Sequence, residues 1–241
     1  MENIKYISNG MIQEYNGYSN EMLFEGEYLN GKRNGKGKEF ILGKLLFEGE
    51  YKNGQKNGKG KYYNYNGKLL FEGEFLNGGK NGKGKGYYDI GKIRFEGEYL
   101  NDKKWNGKGY DINGNIIYEL NNGNGKIKEF DYNGKLLFEG EFLNGDKNGK
   151  GKEYLYGGLV FEGEFLNGKR NGKGKEFLLE KLIFEGEYLN GKRNGKGKEY
   201  YLFQSLKYEG EFLNDKYWEG KGYDPMNNVA YELKEGKGEY E

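Results

Sequence analysis

The sequence predicts an all-β protein, an elongated single-layer antiparallel sheet of tandem β-hairpins. Three observations lead to this prediction. An aromatic residue followed by glutamate recurs along the whole chain, Asn-Gly pairs follow most of these residues, and glycine supplies 45 of 241 residues while proline occurs once. Glycine at this frequency disfavours helices, because each one costs about 1 kcal/mol relative to alanine in a helix. Aromatic residues make up 17% of the chain and favour pleated strands.

The repeat is about 23 residues long, and each unit begins at its leading aromatic residue. The intervals between these residues are 23, 24, 24, 23, 20, 23, 23, 24 and 23. Such a constant period is typical of a repeat architecture. The leading aromatic residues, from the first unit to the tenth, are Phe24, Phe47, Phe71, Phe95, Tyr118, Phe138, Phe161, Phe184, Tyr208 and Tyr231.

A longer period relates the two halves of the chain, since Trp105 and Trp218 lie 113 residues apart. The fifth and tenth units read YEL in place of FEGE. We therefore predict an N-terminal capping half-repeat over 1–23, a first five-unit block over 24–137 and a second over 138–241. Together they are expected to form one continuous array, a sheet of about 20 strands with two per unit.

Each unit is predicted to be a hairpin. The sequence FEGEYL at 24–29 alternates with the period of a strand, which places its aromatic residues and glycine on one face and its glutamates on the other. The NGKRNG segment that follows is typical of a tight turn, and GKGKEF at 35–40 forms the second strand. The expected partners across the hairpin are Phe24 and Tyr28 with Gly35 and Gly37, and Glu25 and Glu27 with Lys36 and Lys38. Aromatic cover of glycine and Glu–Lys pairs worth about 0.2–1 kcal/mol each support this register.

The phrase (F/Y)EGE(Y/F)xNGKxNGKGK(E)(Y/F), repeated in register, resembles the MORN repeat (membrane occupation and recognition nexus). The resemblance extends from about Leu23 to Tyr240. It implies a MORN-like row of antiparallel hairpins without a closed globular core, with roles in scaffolding, protein–protein contact and, in some members, phospholipid binding. It does not imply an enzyme. The fifth and tenth units depart from the pattern, since they lack the second glutamate and the second aromatic residue.

Composition argues against catalysis. The chain has no histidine, cysteine or threonine, so the side chains of hydrolytic triads and zinc sites are missing. The paired glutamates of each unit have a glycosidase-like spacing of about 7 Å, but the pair repeats in eight units beside lysines. The segment GKRNGKG at 31–37 lacks the spacing and the hydroxyl of a phosphate loop. We predict no enzyme activity, no cofactor and no metal site.

Charge is balanced, with 39 basic and 38 acidic residues, which argues against a nucleic-acid partner. Basic residues nevertheless recur in the predicted hairpin loops. Two interpretations stay open: a basic edge that meets anionic phospholipid, or a solvated edge whose lysines prevent strand pairing between molecules. The candidate basic edge comprises Lys32, Arg33, Lys56, Lys80, Lys147, Lys169, Arg170, Lys192 and Arg193.

The two tryptophans mark the candidate partner contacts. They lie in NDKKWNGKG and NDKYWEGKG, where the spacing from the leading aromatic residue to the GKG sequence suggests one added residue. Each tryptophan either covers the degenerate unit that follows it or contacts a partner, since tryptophan is enriched among residues that dominate binding energy. The candidate contacts are Trp105, Trp218, Tyr217, Lys103, Lys104 and Lys216.

The expected function is therefore a scaffold for protein–protein interaction with an unidentified protein partner, offering its repeated aromatic face as a long surface without a pocket. Peripheral binding to phospholipid through the basic loops is the alternative, and homo-oligomerisation is also open. The absence of cysteine and of an apolar N-terminal segment favours a cytoplasmic location. A peripheral position at a membrane or the cytoskeleton is compatible with that expectation.

Overall fold

The computed structural model describes residues 2–8 and 10–240. These residues form 22 strands, and none of them is helical. The strands form two 11-stranded sheets, in each of which every strand pairs antiparallel with its neighbours in the chain. The predicted all-β array of tandem hairpins is therefore confirmed.

The first sheet contains β1 Glu2–Ser8, β2 Met11–Asn16, β3 Met22–Leu29, β4 Lys32–Ile41, β5 Lys44–Lys52, β6 Gln55–Tyr63, β7 Leu69–Leu76, β8 Gly79–Tyr87, β9 Ile93–Leu100, β10 Lys103–Tyr110 and β11 Ile116–Leu120. The second contains β12 Gly125–Phe130, β13 Leu136–Leu143, β14 Asp146–Leu155, β15 Gly158–Leu166, β16 Lys169–Leu178, β17 Lys181–Leu189, β18 Lys192–Tyr200, β19 Leu206–Leu213, β20 Lys216–Tyr223, β21 Val229–Lys234 and β22 Lys237–Tyr240. The chain divides into two compact units that nearly follow the sheets: residues up to 123 with 131–134, and residues 124–130 with those from 135 on.

The presence of two sheets corrects the prediction of one continuous sheet of about 20 strands. The first sheet ends at β11, in the degenerate fifth unit. This strand has five residues, whereas the first strands of the four preceding units have eight or nine. Leu120, the last residue of β11, occupies the position that glycine holds in the four preceding units.

The hairpin turns follow the Asn-Gly prediction. Asn30 and Gly31 have φ values of 50° and 74°, and Leu29 pairs with Lys32 directly across them. Positive φ at both central residues is the geometry of a two-residue type I′ turn. The same pair of positive φ values recurs at later hairpins, including Leu179 and Glu180, at 50° and 65°, where no glycine relieves the left-handed backbone.

A bulge changes the predicted register inside each hairpin. Glu25 pairs with Lys38 as predicted, but Phe24 pairs with Glu39 and Tyr28 with Arg33. The expected pairing of these aromatic residues with glycines is therefore wrong. Between the Gly26–Gly37 pair and the Tyr28–Arg33 pair, the second strand carries two residues more than the first. Gly35 lies in this bulge and has a φ of 86°. The carboxylate of Glu27 accepts a hydrogen bond from the backbone N–H of Lys36 at 3.1 Å instead of facing the lysine side chain.

Aromatic rings build the core of each sheet. The leading aromatic residue of a unit packs edge-on against the residue four positions later, here named the trailing aromatic residue, and against that of the next unit. Phe47, which is fully buried, lies 5.7 Å from Tyr51 and 5.2 Å from Phe75, measured between ring centroids. Such edge-to-face contacts contribute about 0.5–1.5 kcal/mol each beyond burial. The chain of rings runs from Phe24 to Tyr118 in the first sheet and from Phe138 to Tyr217 in the second.

Glycine forms the floor beneath these rings. Gly26 and Gly37 pair across the hairpin, and a Cβ atom on Gly26 would lie 2.6 Å from both the Cα atom of Gly37 and the Cζ atom of Phe24. The aromatic cover of glycine is therefore present, although it runs diagonally and within the strand instead of directly across.

Candidate interaction surfaces

The aromatic face carries the basic residues that begin the second strands. The guanidinium of Arg33 lies 4.2 Å from the ring centroid of Phe24 and binds Glu14 and Glu39, at 2.7 and 3.0 Å. Equivalent side chains lie over the leading rings of their own units, which places them on the sheet and not at the loop tips. This group comprises Arg33, Lys56, Lys80, Lys104, Lys147, Arg170 and Arg193.

The remaining members of the candidate basic edge are exposed at the hairpin ends. The structure thus divides this predicted edge in two, one half-buried row and one solvent-exposed row. The exposed row comprises Lys32, Lys169 and Lys192, and the partner-contact candidates Lys103 and Lys216 occupy the same position in their units.

A ladder of ion pairs crosses the aromatic face of the second sheet. Glu176 binds Arg170 at 3.4 Å and also Arg193, and Arg193 continues to Glu199 at 3.0 Å. Burial alone would raise the pKa of Glu176, but the hydrogen bond and the charge of Arg193 lower this pKa below its ordinary value. These carboxylates are less than a quarter exposed, so the ladder is screened less than surface pairs are. The aromatic face expected to meet a partner is therefore a core covered by charged side chains.

The opposite face carries rows of glutamate and lysine. Lys85 binds Glu96 at 2.9 Å and Lys198 binds Glu209 at 2.9 Å, and both pairs join one unit to the next. The sequence analysis expected the ion pairs within each hairpin. The register explains the difference, because each lysine of the second strand has glutamates on both neighbouring strands.

A groove of about 1050 Å³ follows this Glu–Lys face of the first sheet. Its floor consists of the paired glycines, and its walls are the glutamates and lysines of successive units. It extends from Met11 and Glu25 at one end to Glu96 and Glu98 at the other. The sequence analysis expected a surface without a pocket on the aromatic face and did not foresee this groove on the opposite face.

The tryptophans lie in bulges of a different kind. Gly107 pairs with Gly97 and Lys104 with Tyr99, so only Trp105 is extra. The ordinary units carry two extra residues at this place. The bulge of the Trp units is therefore one residue shorter than that of the ordinary units, and not one residue longer as the sequence suggested. The reason is that the first glycine of their GKG sequence, Gly107, pairs with the glycine of the first strand, whereas in ordinary units the second glycine does so, as Gly37 does with Gly26.

Each tryptophan contacts the turn of the degenerate unit that follows it. The backbone carbonyl of Trp218 accepts a hydrogen bond from the N–H of Gly236 at 2.7 Å, and Trp105 does the same for Gly123 at 2.7 Å. The ring of Trp218 also packs on Gly236, whose missing Cβ atom would lie 3.3 Å from it. Trp218 remains 36% exposed, so its ring both covers a turn and faces solvent.

Tyr217 occupies the place of the basic side chain in its unit. Its ring stacks on that of Tyr208 at 4.0 Å, and its hydroxyl donates to Glu199 at 3.1 Å. Burial and the charge of Glu199 raise its pKa to about 12. Tyr217 is therefore integrated in the core and ladder of the second sheet.

The repeated hairpins, their glycine floor and their charged rows agree with a known family. The sequence profile of the family described as MORN repeat matches residues 24–40, 47–68, 138–160, 161–177 and 184–201. This chain contains MORN repeats. The family is a non-enzymatic repeat family linked to interactions with proteins or membranes.

Two further comparisons accompany this match. No curated protein matches the MORN-repeat chain significantly. Among solved structures, a mutant of S. aureus TarM in complex with fondaparinux, alpha-GlcNAc-glycerol and UDP is 9% identical, with a TM-score of 0.24, covering 56% of this chain and 21% of that one. A similarity at that level supports no inference about fold or activity.

The turns between MORN-repeat units carry a feature that the sequence analysis missed. A large apolar side chain stands exposed at the tip of nearly every such turn. Within each sheet these turns all lie on the same side, at one end of the strands. A lysine follows several of them at the start of the next strand, as Lys44 follows Leu42 and Lys181 follows Leu179. The exposed tips are Tyr18, Leu42, Tyr65 and Ile90 in the first sheet and Tyr156, Leu179, Phe203 and Met226 in the second.

Among residues 2–8 and 10–240, no group of three or more acidic, histidine or cysteine side chains could hold a metal ion. No helix in this described part of the chain is long and apolar enough to cross a membrane.

Proposed function

We propose that this MORN-repeat protein is a non-enzymatic scaffold that binds a protein partner in the Glu–Lys groove of its first sheet. The groove is the observation that carries the proposal. Its walls are charged side chains that take no part in the aromatic core, and its floor is the backbone of the paired glycines.

The charge pattern of the groove indicates the chemistry of its partner. Rows of glutamate and lysine alternate from strand to strand, with neighbouring strands about 4.8 Å apart. A partner that presents both charges at a matching spacing would pair along the groove, whereas a uniformly acidic or basic chain would meet like charges in every second row. Such complementarity sets specificity and orientation more than raw affinity.

The first lysine of each GKGK sequence allows a direct test. Lys36, Lys59 and Lys83 line the groove and are exposed. Their equivalents in the second sheet, Lys150, Lys173 and Lys196, provide a matched control. A partner is captured from the native cell, identified and purified, and its affinity is measured for each triple Lys→Gln variant.

We expect the groove triple variant to weaken binding at least roughly tenfold, since each lost charge-assisted contact is worth about 1 kcal/mol or more. The control triple should bind like the unaltered protein. Equal losses in the two variants, or no loss in the groove variant, would refute the groove as the binding surface.

Phospholipid binding is the second candidate, and the exposed turn tips favour it. Apolar side chains next to lysines suit the boundary between headgroups and acyl chains of an anionic membrane. Phe203 is 89% exposed and Tyr156 is 87% exposed. The location differs from the basic hairpin loops named by the sequence analysis, because six of those nine basic residues lie over aromatic rings.

Sedimentation with vesicles separates the two edges. We expect weak binding to vesicles of phosphatidylcholine and phosphatidylserine that salt reduces and that Phe203→Ala with Tyr156→Ala abolishes. Lys169→Gln with Lys192→Gln, at the opposite edge, is the matched control. Binding that survives the tip variant but fails in the lysine variant would transfer the contact to the basic edge.

A further inference from the structure

The cations on the aromatic face pair in a regular pattern along the chain. In the second strand of an ordinary unit, the cation over the leading ring meets an acceptor six residues later in the chain. Arg33 meets Glu39, Lys147 meets Glu153 and Arg193 meets Glu199, at 3.0, 2.6 and 3.0 Å. Lys56 meets the hydroxyl of Tyr62 at 3.1 Å.

Lys80 breaks this pattern, because glycine stands six residues later at Gly86. The ammonium of Lys80 lies 4.7 Å from the ring centroid of Phe71 and 5.9 Å from that of Tyr99. Within residues 2–8 and 10–240 it forms no hydrogen bond and no ion pair. Its side chain is half-buried, and burial is the main cause that lowers its pKa.

The space of the missing carboxylate is open. A Cβ atom on Gly86 would meet only the hydroxyl of Tyr99 at 3.4 Å and the carbonyl of Leu70 at 3.9 Å. In the second sheet the corresponding place holds Glu176, which accepts a hydrogen bond from the hydroxyl of Tyr188 at 2.8 Å and binds Arg170. Tyr99 is the equivalent of Tyr188, so two donors, Lys80 and Tyr99, border the space at Gly86.

The electrostatic surroundings favour an anion there. The charges of Arg94 and Lys104 lower the pKa of Lys80, and Asp102 is the acidic residue that opposes them. The Oδ1 atom of Asp102 accepts the backbone N–H of Lys80 at 2.8 Å. A bound carboxylate would face a cation, a hydroxyl donor and additional positive charge in a partly desolvated place, where charge-assisted hydrogen bonds are strong.

We propose that the space between Lys80, Gly86 and Tyr99 is a binding site for a carboxylate side chain supplied by a partner protein, which completes in trans the ion pair that other units form internally. Carboxylate is the expected class because glutamate holds this position in four other units, at Glu39, Glu153, Glu176 and Glu199. The site lies on the aromatic face and does not depend on the groove of the opposite face.

The test is an NMR titration that observes the lysine side chains. Protein with ¹³C-labelled lysine is titrated with the capped peptide acetyl-Gly-Glu-Gly-amide, with its glutamine counterpart, with sodium acetate and with phosphate at constant ionic strength. Lys80→Gln identifies the Lys80 resonance, and Lys147, which already binds Glu153, is the internal control.

We expect a saturable shift of the Lys80 Cε signal with the glutamate peptide, a weaker one with acetate and none at Lys147. Gly86→Glu should reduce peptide binding at least roughly tenfold and raise the melting temperature, because it supplies the missing partner within the chain. Gly86→Gln fills the same space without charge and should not raise the melting temperature.

Several results would overturn the proposal. An equal shift with the glutamine peptide would exclude a charge-dependent site, and tighter binding of phosphate would exclude carboxylate as its class. Binding of acetate with no gain from the peptide would exclude a partner side chain. A Gly86→Glu variant that is no more stable than Gly86→Gln would show that Lys80 needs no acceptor.

Discussion

At the scale of single residues, the paired glycines beneath the aromatic rings are positions where no side chain would fit. Gly37 lies directly under the ring of Phe24. A Cβ atom on its partner Gly26 would clash with the Cα atom of Gly37. Glycine is costly in a strand. Its recurrence here follows from the contact between ring and backbone.

Gly37→Ala should therefore destabilise the first sheet by about 1–3 kcal/mol, the usual cost of overpacking a closed core. Gly86→Ala is the matched control, since the space beside Gly86 is open. Denaturant unfolding measures both. Similar losses in the two variants would show that strand propensity, and not ring contact, determines the cost.

The tryptophans also act at this scale. Trp218→Ala removes the ring that packs on Gly236, and we expect a loss of roughly 1–3 kcal/mol, less than for a fully buried tryptophan because the ring is partly exposed. Hydrogen exchange of residues 232–237 should rise in this variant. Leu213→Ala, at a similarly exposed side chain, is the control, and unchanged exchange in both variants would favour a role in partner contact alone.

At the scale of the hairpin, the turns could be predicted because Asn-Gly encodes a positive φ at two successive residues. The turn at Leu179 and Glu180 adopts the same conformation without either residue. The left-handed conformation costs roughly 1–2 kcal/mol for an ordinary L-residue. This turn is therefore held by its flanking strands.

Replacing Leu179 and Glu180 by Asn and Gly should stabilise the second sheet by about 1–2 kcal/mol. The reciprocal change, Asn190→Leu with Gly191→Glu, imposes the unfavourable pair on the next hairpin turn along the chain and should destabilise it by a similar amount. Guanidinium unfolding midpoints compare the two. Equal midpoints would mean that tertiary contacts, not the turn residues, set the stability of these hairpins.

The register shows where sequence reasoning fails within an element. Alternation in FEGE correctly predicted Glu25 opposite Lys38. It could not predict the bulge at Gly35, because glycine in a strand pattern is compatible with aromatic cover, with a bulge or with both. For the same reason the ion pairs between units and the register of the Trp units were not foreseen.

At the scale of the whole molecule, the repeat period of the sequence predicted the hairpins but not the number of sheets. The YEL sequence marked the fifth unit as different, yet the tenth unit has the same sequence and β21 still pairs with β22. Local sequence therefore does not determine whether a sheet continues. The carboxylate site at Gly86 likewise became visible only when the cation rows of successive units were compared.

The two sheets should respond differently to acid. The pKa values of Glu153 and Glu176 are lowered, since their arginine and lysine partners outweigh the opposing effect of burial. A lowered pKa in the folded state means that the stabilisation is present above the ordinary value of 4.5 and is lost as pH falls through the folded value.

Between pH 6 and pH 3, hydrogen-exchange protection should fall more in β14, β16 and β18 than in β8, where Gly86 stands in place of the glutamate of the ladder. Glu176→Gln should reduce this difference. Protection that falls equally in both sheets would show that the ladder contributes no pH-dependent stability.

The order of strands has a consequence for synthesis. Every strand within a sheet pairs with its immediate neighbours in the chain, so no contact of the ladder waits for a distant segment. Topologies with such local contacts fold fast. On the ribosome, each hairpin could add to the growing edge as soon as it emerges, and the nascent protein would expose at most one unpaired strand at a time.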